Sequence, residues 1–313
     1  MANTDLLVTA PPHIRTTEEI STGMRDVLIA LVPVTAVAIG FFRLYAIVNI
    51  LACVLTAVVC ELLMRKIMGR EPTIKDCSAI VTGLLLALVL PPTVPFWYAM
   101  IGTVIAVVLV KELMGGLGVN VFNPALFGFV SLAVLSQIWQ PVSLNLGSIH
   151  GVTSATPLTW VKAGPLAGPA PGYWDLFFGH AGGAMVEVSV LAILVGAAYL
   201  LYKGHITWHI PVSILVTVAV LSAIVGVNPL YMLLAGGLML GAFFMATDWA
   251  TSPSNRVAQI VYGVIIGVIV VLIRVFGAPT GAVAYAILIG NAITPLLNRM
   301  FVRKRFGQVA QAE

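Results

Sequence analysis

The chain has 313 residues, of which 60% are hydrophobic and only 9% are charged, and its formal net charge is +4. Soluble domains carry about a quarter of their residues as charged side chains, so this composition excludes an ordinary soluble protein and predicts a membrane protein. The positive charge does not indicate nucleic-acid binding, because membrane topology explains where the cations lie along the chain.

Apolar runs of the length of a membrane span recur along the chain, and a span needs about 20 apolar residues, or about 17 when it is short. The polar residues 1–25 make the first run a retained span rather than a removed signal sequence. The sequence therefore predicts an all-α polytopic membrane protein with about ten transmembrane helices. The ten runs are 27–42, 44–64, 78–94, 96–113, 121–136, 185–201, 209–226, 229–246, 257–275 and 279–297.

The lysines and arginines predict the orientation of these spans. With a cytoplasmic N-terminal segment (1–25), thirteen of the 16 Lys and Arg residues fall on the cytoplasmic side, as the positive-inside rule requires. The exceptions are Arg43, Lys162 and Arg274. The tail (299–313) is then also cytoplasmic, and the connection between the fifth and sixth spans is extracytoplasmic.

Five predicted spans lie in the first half (26–136) and five in the second half (185–298). Because each half has an odd number of spans, the halves must have opposite orientation, which is the arrangement of inverted-repeat membrane proteins. The third run, "SAIVTGLLLALVL", has only 13 residues before Pro91. It predicts a half-helix or a bent span whose freed backbone is covered by protein, with Asp76 or Ser78 as its N-terminal cap.

One long connection, residues 137–184, separates the two halves. Its 48 residues include eight glycines and five prolines, and a connection of this length is usually functional or disordered. Its aromatic residues suit the headgroup zone of a membrane, so "GYWDLFFGH" predicts a short helix lying on the membrane surface.

The same connection contains "HGVTSATPLTW" (150–160), with three hydroxyl side chains in four positions, Thr153, Ser154 and Thr156. Small neighbours such as Ala155 leave these hydroxyls open, and Pro157 disfavours a helical conformation at Thr156. On spacing alone an ordinary hydroxyl-rich turn is the simpler interpretation. The alternative is a segment that a modifying enzyme can enter.

Acidic side chains near membrane spans are functional candidates, because burying them is costly. Glu112 and Asp248 lie at predicted span ends and we expect structural roles for both, with Ser252 or Ser254 capping the ninth span. Glu187, near the outer start of the sixth span, is the better candidate for an ion path, although a structural role is the simpler expectation there too.

Asn120 and Asn123 precede Pro124, where helical backbone hydrogen bonds are lost, so we expect their amides to satisfy backbone groups. The functional alternative is contact with a bound ligand or with a neighbouring subunit. The three cysteines show no metal-ligand spacing, and they are predicted to be packing residues.

Several segments resemble one known family, which includes the D subunit of Rnf complexes (ion-translocating ferredoxin:NAD oxidoreductases) and the B subunit of the Na⁺-pumping NADH:quinone reductase. The similar segments occur in the same order as in that family and extend over nearly the whole chain. They are "TAPPHI" (9–14), "DCSAIVTGLLLALVLPPTVPFWYAMIG" (76–102), "GGLGVNVFNPALFG" (115–128), "TSATPL" (153–158) and "TDWATSP" (247–253).

This resemblance implies a flavin site. In the family, a flavin transferase joins FMN through its phosphate to the threonine of a short hydroxyl-rich motif. Here the acceptor is Thr156, with Thr153, Ser154 and Ala155 as the rest of the motif and His150 in place of its aspartate. The resemblance also allows a second, non-covalent flavin such as riboflavin, with Asn120 and Asn123 as candidate contacts.

The resemblance further implies a subunit of a translocase of class EC 7 in a prokaryotic inner membrane, moving Na⁺ or H⁺. Its partners are other Rnf-type subunits (A, B, C, E and G), especially the flavin-bearing G-type subunit, and they handle NAD and ferredoxin. The rival interpretations are a small-solute channel or transporter with five-plus-five inverted halves, and a scaffold subunit without a cofactor.

Overall fold

A computed structural model describes residues 20–71, 73–92, 94–138, 172–178, 185, 189–277 and 281–301, and these contain helices and no β-strand. The prediction of an all-α protein is confirmed for this part of the chain. The helices are α1 (Ile20–Phe42), α2 (Leu44–Ile67), α3 (Ser78–Val89), α4 (Phe96–Val104), α5 (Pro124–Ile138), α6 (Tyr173–Phe178), α7 (Val190–Lys203), α8 (His209–Val225), α9 (Pro229–Leu234), α10 (Leu238–Leu240), α11 (Arg256–Phe276) and α12 (Ala282–Met300). π-Helical segments extend α4 over Ile105–Glu112 and α10 over Gly241–Met245.

The helices carry the apolar surface of an integral membrane protein. Three of the described helices, α1, α2 and α11, are each long and apolar enough to cross a membrane, and α3, α5, α7 and α8 are shorter apolar helices. One face of α2 leaves Leu51, Leu55 and Val59 more than half exposed, which water would disfavour and lipid would not. The helices overlap the predicted apolar runs, but the eighth run, 229–246, was wrongly predicted as one continuous span, because the chain breaks between α9 and α10. The total of ten spans stays a prediction.

The helices pair in the same way in the two halves. In the first half, α2 packs against both α3 and α4, and in the second half α8 packs against both α9 and α11. The halves meet mainly where α1 packs on α7 and where α5 packs on α12. Such matching pairs are expected of two related five-helix halves, whose opposite orientation stays a prediction.

The short third span is confirmed, because α3 has only 12 residues and ends at Val89. The side-chain amide of Asn49, on the neighbouring α2, donates to the carbonyls of Pro92 (3.2 Å) and Val94 (3.1 Å). Protein therefore covers the backbone freed by the break, as a membrane protein requires. At the other end of α3, the Asp76 carboxylate accepts from the Ser78 backbone amide at 2.8 Å.

The predicted cap of the ninth span was wrong. The side chain of Asn255, rather than that of Ser252 or Ser254, accepts from the Val257 amide at the start of α11 (3.0 Å). The acceptor must come directly before the first helical residue, and the chain is still turning at Ser254, whose own amide donates to Asn298 (3.2 Å).

Small residues bring helices together, as in the glycine-rich segment 234–242. A Cβ on Gly241 would lie 2.3 Å from the Val283 side chain, and a Cβ on Gly196 would lie 2.0 Å from the Ala30 carbonyl oxygen. The contact of α7 with α1 therefore depends on Gly196. All three cysteines are free thiols, and Cys53 is buried in the core, which agrees with a packing role.

The short helix predicted in the long connection is present as α6. Its Tyr173 hydroxyl accepts from the Asn228 side chain (2.6 Å), and Leu176 is buried against Tyr231 at the start of the second half's broken span. Trp174 stacks on Phe178 with ring centroids 5.7 Å apart and is 73% exposed. A position on the membrane surface stays a prediction.

Candidate functional site

An open cleft lies between the two halves. Its walls come from α1, α3, α4 and α5 of the first half and from α7 and α10 of the second half. Apolar side chains form most of the lining, with a few polar groups among them. The polar and charged lining residues are Ser78, Thr82, Lys111, Asn120, Asn123, His205, Thr247 and Asp248.

The two asparagines of the cleft are buried and bonded largely to backbone. Asn120 accepts from the Gly118 amide (3.3 Å) and donates to the Phe122 carbonyl (3.0 Å). Asn123 accepts from the Leu126 amide at the start of α5 (3.2 Å) and donates to the Met245 carbonyl across the cleft (3.4 Å). The predicted backbone role is confirmed, and both residues also line the cleft.

Asp248 lies in the connection between α10 and α11, beside the cleft. Burial raises the pKa of its carboxyl above the ordinary value, although the Ala250 and Trp249 amides and the Thr251 hydroxyl act in the opposite direction. The Thr251 hydroxyl lies 3.3 Å from this carboxylate. The Asp248 carboxyl is therefore hydrogen-bonded to residues of the connection between α10 and α11. This agrees with the structural role expected for it.

Four buried charges lie together at the ends of α2 and α4. The Arg65 guanidinium lies 3.2 Å from Glu112, and the Lys111 ammonium lies 3.2 Å from Glu61. Glu61, Lys111 and Glu112 are at most 1% exposed. Two cations thus face two carboxylates, so that each buried charge has an opposite partner, as buried ions require. We call Glu61, Arg65, Lys111 and Glu112 the four-charge cluster.

Lys111 connects this cluster to the cleft. Its ammonium also donates to the Ser78 hydroxyl at 2.6 Å, and Ser78 donates to Asp76 at 2.6 Å. Both Lys111 and Ser78 line the cleft. The first turn of α3 is therefore bonded to the end of the fourth span.

A second polar group bridges the halves at the edge of the cleft. The Asp26 carboxylate on α1 lies 2.6 Å from Nε2 of His205, which follows α7, and it accepts from the Tyr199 hydroxyl at 2.7 Å. The Trp249 indole donates to the His205 carbonyl at 2.7 Å. These bonds join α1, α7 and the Asp248 connection.

A buried cation also lies near the end of the fourth predicted span of the second half. Arg274, near the end of α11, is 1% exposed and donates to the carbonyls of Met232 and Ala235. These two carbonyls lie where α9 ends and the chain breaks before α10. The guanidinium thus satisfies backbone that the break has freed.

The family assignment rests on sequence similarity over nearly the whole chain. The model of the NQR2, RnfD, RnfE family matches residues 7–307. The chain belongs to this family. It is 40% identical to the D subunit of the Na(+)-translocating ferredoxin:NAD(+) oxidoreductase complex of Acetobacterium woodii, over 98% of this chain and 97% of that protein.

Two further proteins are similar over comparable lengths. The D subunit of the proton-translocating ferredoxin:NAD(+) oxidoreductase complex of Clostridium ljungdahlii is 36% identical, over 96% of each chain. The D subunit of the ion-translocating oxidoreductase complex of Escherichia coli is 34% identical, over 93% of this chain and 95% of that protein. The resemblance to the Rnf family is therefore confirmed, and the chain is an integral membrane protein.

The predicted flavinylation motif lies outside the described residues. Thr153, Ser154, Ala155 and Thr156 fall there, as does Glu187, so their roles stay predictions. The other predicted residues, Asn120, Asn123, Glu112 and Asp248, lie at or beside the cleft or in the four-charge cluster.

Three polar residues of this region, Glu61, Asp26 and His205, were not predicted from the sequence. Glu61 sits inside an apolar run four residues before Arg65, a spacing that predicts an ion pair on a helix. Nothing in the sequence pairs Asp26 with His205, because they are far apart along the chain and meet only when the two halves pack.

Proposed function

We propose that this chain is the D-type membrane subunit of a redox-driven, ion-translocating electron-transport complex, and that it carries FMN covalently on Thr156. The observation that carries the proposal is similarity over more than nine-tenths of the chain to proteins named as D subunits of ferredoxin:NAD(+) oxidoreductase complexes. The similar segments on either side of the hydroxyl-rich run support the same assignment.

The chemistry of the acceptor supports the covalent site. A flavin mononucleotide attached through its phosphate needs an aliphatic hydroxyl, and Thr156 offers one between Ala155 and Pro157. Pro157 disfavours a helical conformation at the preceding residue, which favours entry of this segment into the site of a flavin transferase. The tethered flavin supplies one-electron and two-electron transfer, while the protein supplies position and electrostatics.

The cleft between the halves suits a second, non-covalent flavin such as riboflavin. Its lining is mostly apolar with a few polar groups, as in most small-molecule sites. Phe243, Phe244 and Leu117 offer apolar surface to a ring system, and Asn120 and Asn123 line the same cleft.

Two flavin positions are consistent with an electron route across a membrane. By the charge rule, Thr156 is extracytoplasmic and the connections that line the cleft are cytoplasmic. The hydrocarbon layer is about 30 Å thick, so one tethered flavin cannot bridge it. Further redox centres in neighbouring subunits complete the route, and those subunits handle NAD and ferredoxin.

The test of covalent attachment is flavin fluorescence of this chain on a denaturing gel after co-expression with a flavin transferase. Wild type should give a fluorescent band, and Thr156→Val should give a dark band with unchanged amounts of assembled complex. Thr153→Val and Ser154→Ala are the matched controls and should keep fluorescence. A dark wild-type band with active transferase would favour the rival functions, a solute transporter or a scaffold without a cofactor.

The second flavin is tested separately by the flavin that denaturation releases from the purified complex. Asn120→Leu should lower the released flavin while the covalent band keeps its fluorescence. Purified alone, the chain should show no NADH-dependent or ferredoxin-dependent turnover, because the partner subunits supply those sites. Robust NADH oxidation by the isolated chain would contradict the assignment of the NADH site to a partner subunit.

A further inference from the structure

Arg43 alone connects α1 to α2, which are the first two described helices. α1 ends at Phe42 and α2 begins at Leu44, and both helices are long and apolar enough to cross a membrane. The Arg43 amide donates to the Ile39 carbonyl (2.8 Å), and the Arg43 carbonyl accepts from the Ile47 amide (3.2 Å). Two consecutive spans that are joined by one residue turn at the surface of the membrane, so Arg43 lies there.

The backbone of Arg43 has a conformation that is favourable for glycine and not for arginine. Its φ is +50° and its ψ is −122°, which are the angles of the first central residue of a type II′ turn, a position dominated by glycine. Among the described residues, Cys77 is the other non-glycine residue with a positive φ. Glycine would make the same two backbone hydrogen bonds without this strain. The turn therefore does not account for an arginine at this position.

The guanidinium of Arg43 has no carboxylate within 4 Å among the described residues. Its side chain is exposed, and the ion pairs in this part of the chain involve other residues. Lys111 and Arg274, by contrast, are buried and bonded to protein groups. The positive-inside rule also disfavours a cation at this connection. The guanidinium is thus open to a ligand from outside this chain.

Apolar and aromatic side chains flank Arg43 at the ends of the two helices. Phe41 is 46% exposed, Leu44 is 69% exposed and Tyr45 is 59% exposed. Beyond them the exposed apolar face of α2 continues as far as Val59. Tyrosine is typical of the level at which headgroups meet hydrocarbon. The surface around Arg43 is therefore continuous with a lipid-facing surface, and a lipid is the ligand that contacts both.

The length of α2 places Arg43 at the level of the lipid phosphates. Its 24 residues rise by about 1.5 Å each and so extend over about 36 Å. The hydrocarbon layer of a membrane is about 30 Å thick. Arg43 at the start of α2 and the exposed Lys66 at its end therefore lie in opposite headgroup layers, each within reach of phosphate groups.

We propose that Arg43 binds the phosphate of an anionic phospholipid, while Phe41, Leu44 and Tyr45 contact the beginning of its acyl chains. A guanidinium carries five N–H donors in a planar fork that matches two phosphate oxygens. Charge-assisted bonds of this kind are stronger than neutral ones. A headgroup such as glycerol is favoured over choline or ethanolamine, because it has no cation of its own beside the phosphate. The bound phosphate is then the reason for an arginine in a conformation that is favourable for glycine.

The test is photo-crosslinking of the purified complex in phosphatidylcholine nanodiscs that contain a small fraction of phosphatidylglycerol with a diazirine in its headgroup. Labelled peptides are identified by mass spectrometry. In wild type, residues 41–45 should be labelled. Arg43→Gln should lower this labelling about tenfold, as expected when a hydrogen bond between charged groups is lost. Arg43→Lys should keep part of it, because an ammonium retains the charge without the fork.

The matched control is Lys66→Gln, at the other end of the same helix, which should leave the labelling of residues 41–45 unchanged. A phosphatidylcholine probe with the same diazirine should label residues 41–45 less than the phosphatidylglycerol probe. Equal labelling by the two probes, or equal labelling of wild type and Arg43→Gln, would overturn the proposal. Wild-type complex without label at residues 41–45 would also overturn it, and a crosslink from this segment to a neighbouring subunit would identify protein as the ligand instead.

Arg43→Gly separates the turn from the binding of lipid. Glycine adopts the observed angles without strain, so the melting temperature of the complex in a phosphate-free detergent should equal or exceed that of wild type. The labelling of residues 41–45 in nanodiscs should fall as it does in Arg43→Gln. A lower melting temperature in Arg43→Gly would show that the arginine serves the fold, and labelling at the wild-type level would show that the guanidinium does not hold the lipid.

Discussion

The two halves of the molecule stabilise a broken third span with different side chains. In each half the third span is broken, and a buried cation at the end of the fourth span bonds to it. In the first half that cation is Lys111, which reaches Ser78 of α3 and belongs to the four-charge cluster. In the second half it is Arg274, which donates to the carbonyls of Met232 and Ala235.

The difference shows how much each half depends on its cation. A carbonyl that loses its donor remains neutral, whereas a carboxylate that loses its cation becomes an uncompensated buried charge. The first half also places its charges against the cleft, while Arg274 lies against the break between α9 and α10. We therefore expect the first half to be the more sensitive to substitution of its cation, and the cleft to respond with it.

The largest effect is expected from Lys111→Met. Glu61 is then buried without its ammonium partner, and breaking a buried ion pair costs about 3–5 kcal/mol. The complex should lose thermal stability, measured as the temperature at which it dissociates or aggregates after detergent extraction. Adding Glu61→Gln should restore part of the loss, because Arg65 alone then faces only one carboxylate, that of Glu112.

The matched control for this substitution is Lys66→Met, which lies next to Arg65 on α2 but is exposed. It should change stability little, as surface substitutions usually do. Equal destabilisation by Lys66→Met and Lys111→Met would show that the four-charge cluster does not hold the first half together.

Arg274→Met should have a smaller effect in the same assay. The substitution leaves the carbonyls of Met232 and Ala235 without this donor, and an unsatisfied buried polar group costs about 1–3 kcal/mol. Arg274→Lys should recover part of the loss, since an ammonium can still donate to one of them. A larger loss of thermal stability in Arg274→Met than in Lys111→Met would show that the second half depends more on its cation than the first half does.

The sequence predicts much of this architecture and little of the cleft. Periodicity and apolar runs predicted the helices, and Pro91 predicted the end of α3, because these signals are local. The contact of Asn49 with the broken span and the pairing of Asp26 with His205 depend on which helices pack together. Such contacts between distant segments leave no pattern in one sequence.

The misassigned cap of α11 has a related cause. Ser252, Ser254 and Asn255 are all good capping residues, and only the path of the chain decides which of them precedes the first helical residue. The resemblance to a family supplied Thr156 as a flavin acceptor, since its local sequence alone favours an ordinary turn.

The junction between the halves is tested by Gly196→Ala. Its Cβ would lie 2.0 Å from the Ala30 carbonyl oxygen, so α7 must move away from α1, and overpacking of this kind costs about 1–3 kcal/mol. The melting temperature should fall. Gly40→Ala on α1 is the control, because nothing lies within 4 Å of its Cβ, and it should be neutral or slightly stabilising. Equal behaviour of the two variants would argue against a close α1–α7 contact.

The smallest expected effect is a pH dependence through Asp248. Burial raises the pKa of this carboxyl, so the folded protein holds the proton more tightly than the unfolded chain does. The resulting stabilisation is present below the ordinary pKa and is lost as the pH rises through the raised one. Asp248→Asn should therefore gain stability relative to wild type as the pH rises across this window, in melting curves recorded at several pH values. A constant difference would contradict the raised pKa.

The most direct test of the opposed halves and the outward flavin segment is cysteine labelling in intact spheroplasts. In a background with Cys53, Cys60 and Cys77 replaced by alanine, Ser148→Cys and Ser254→Cys are compared with a membrane-impermeant thiol reagent. Three predicted spans, 185–201, 209–226 and 229–246, separate the two serines, so they must lie on opposite sides of the membrane. We predict labelling of Ser148→Cys in intact spheroplasts, and of Ser254→Cys only after the membrane is broken. Labelling of Ser148→Cys only after breakage would place Thr156 inside and contradict both the topology and the electron route.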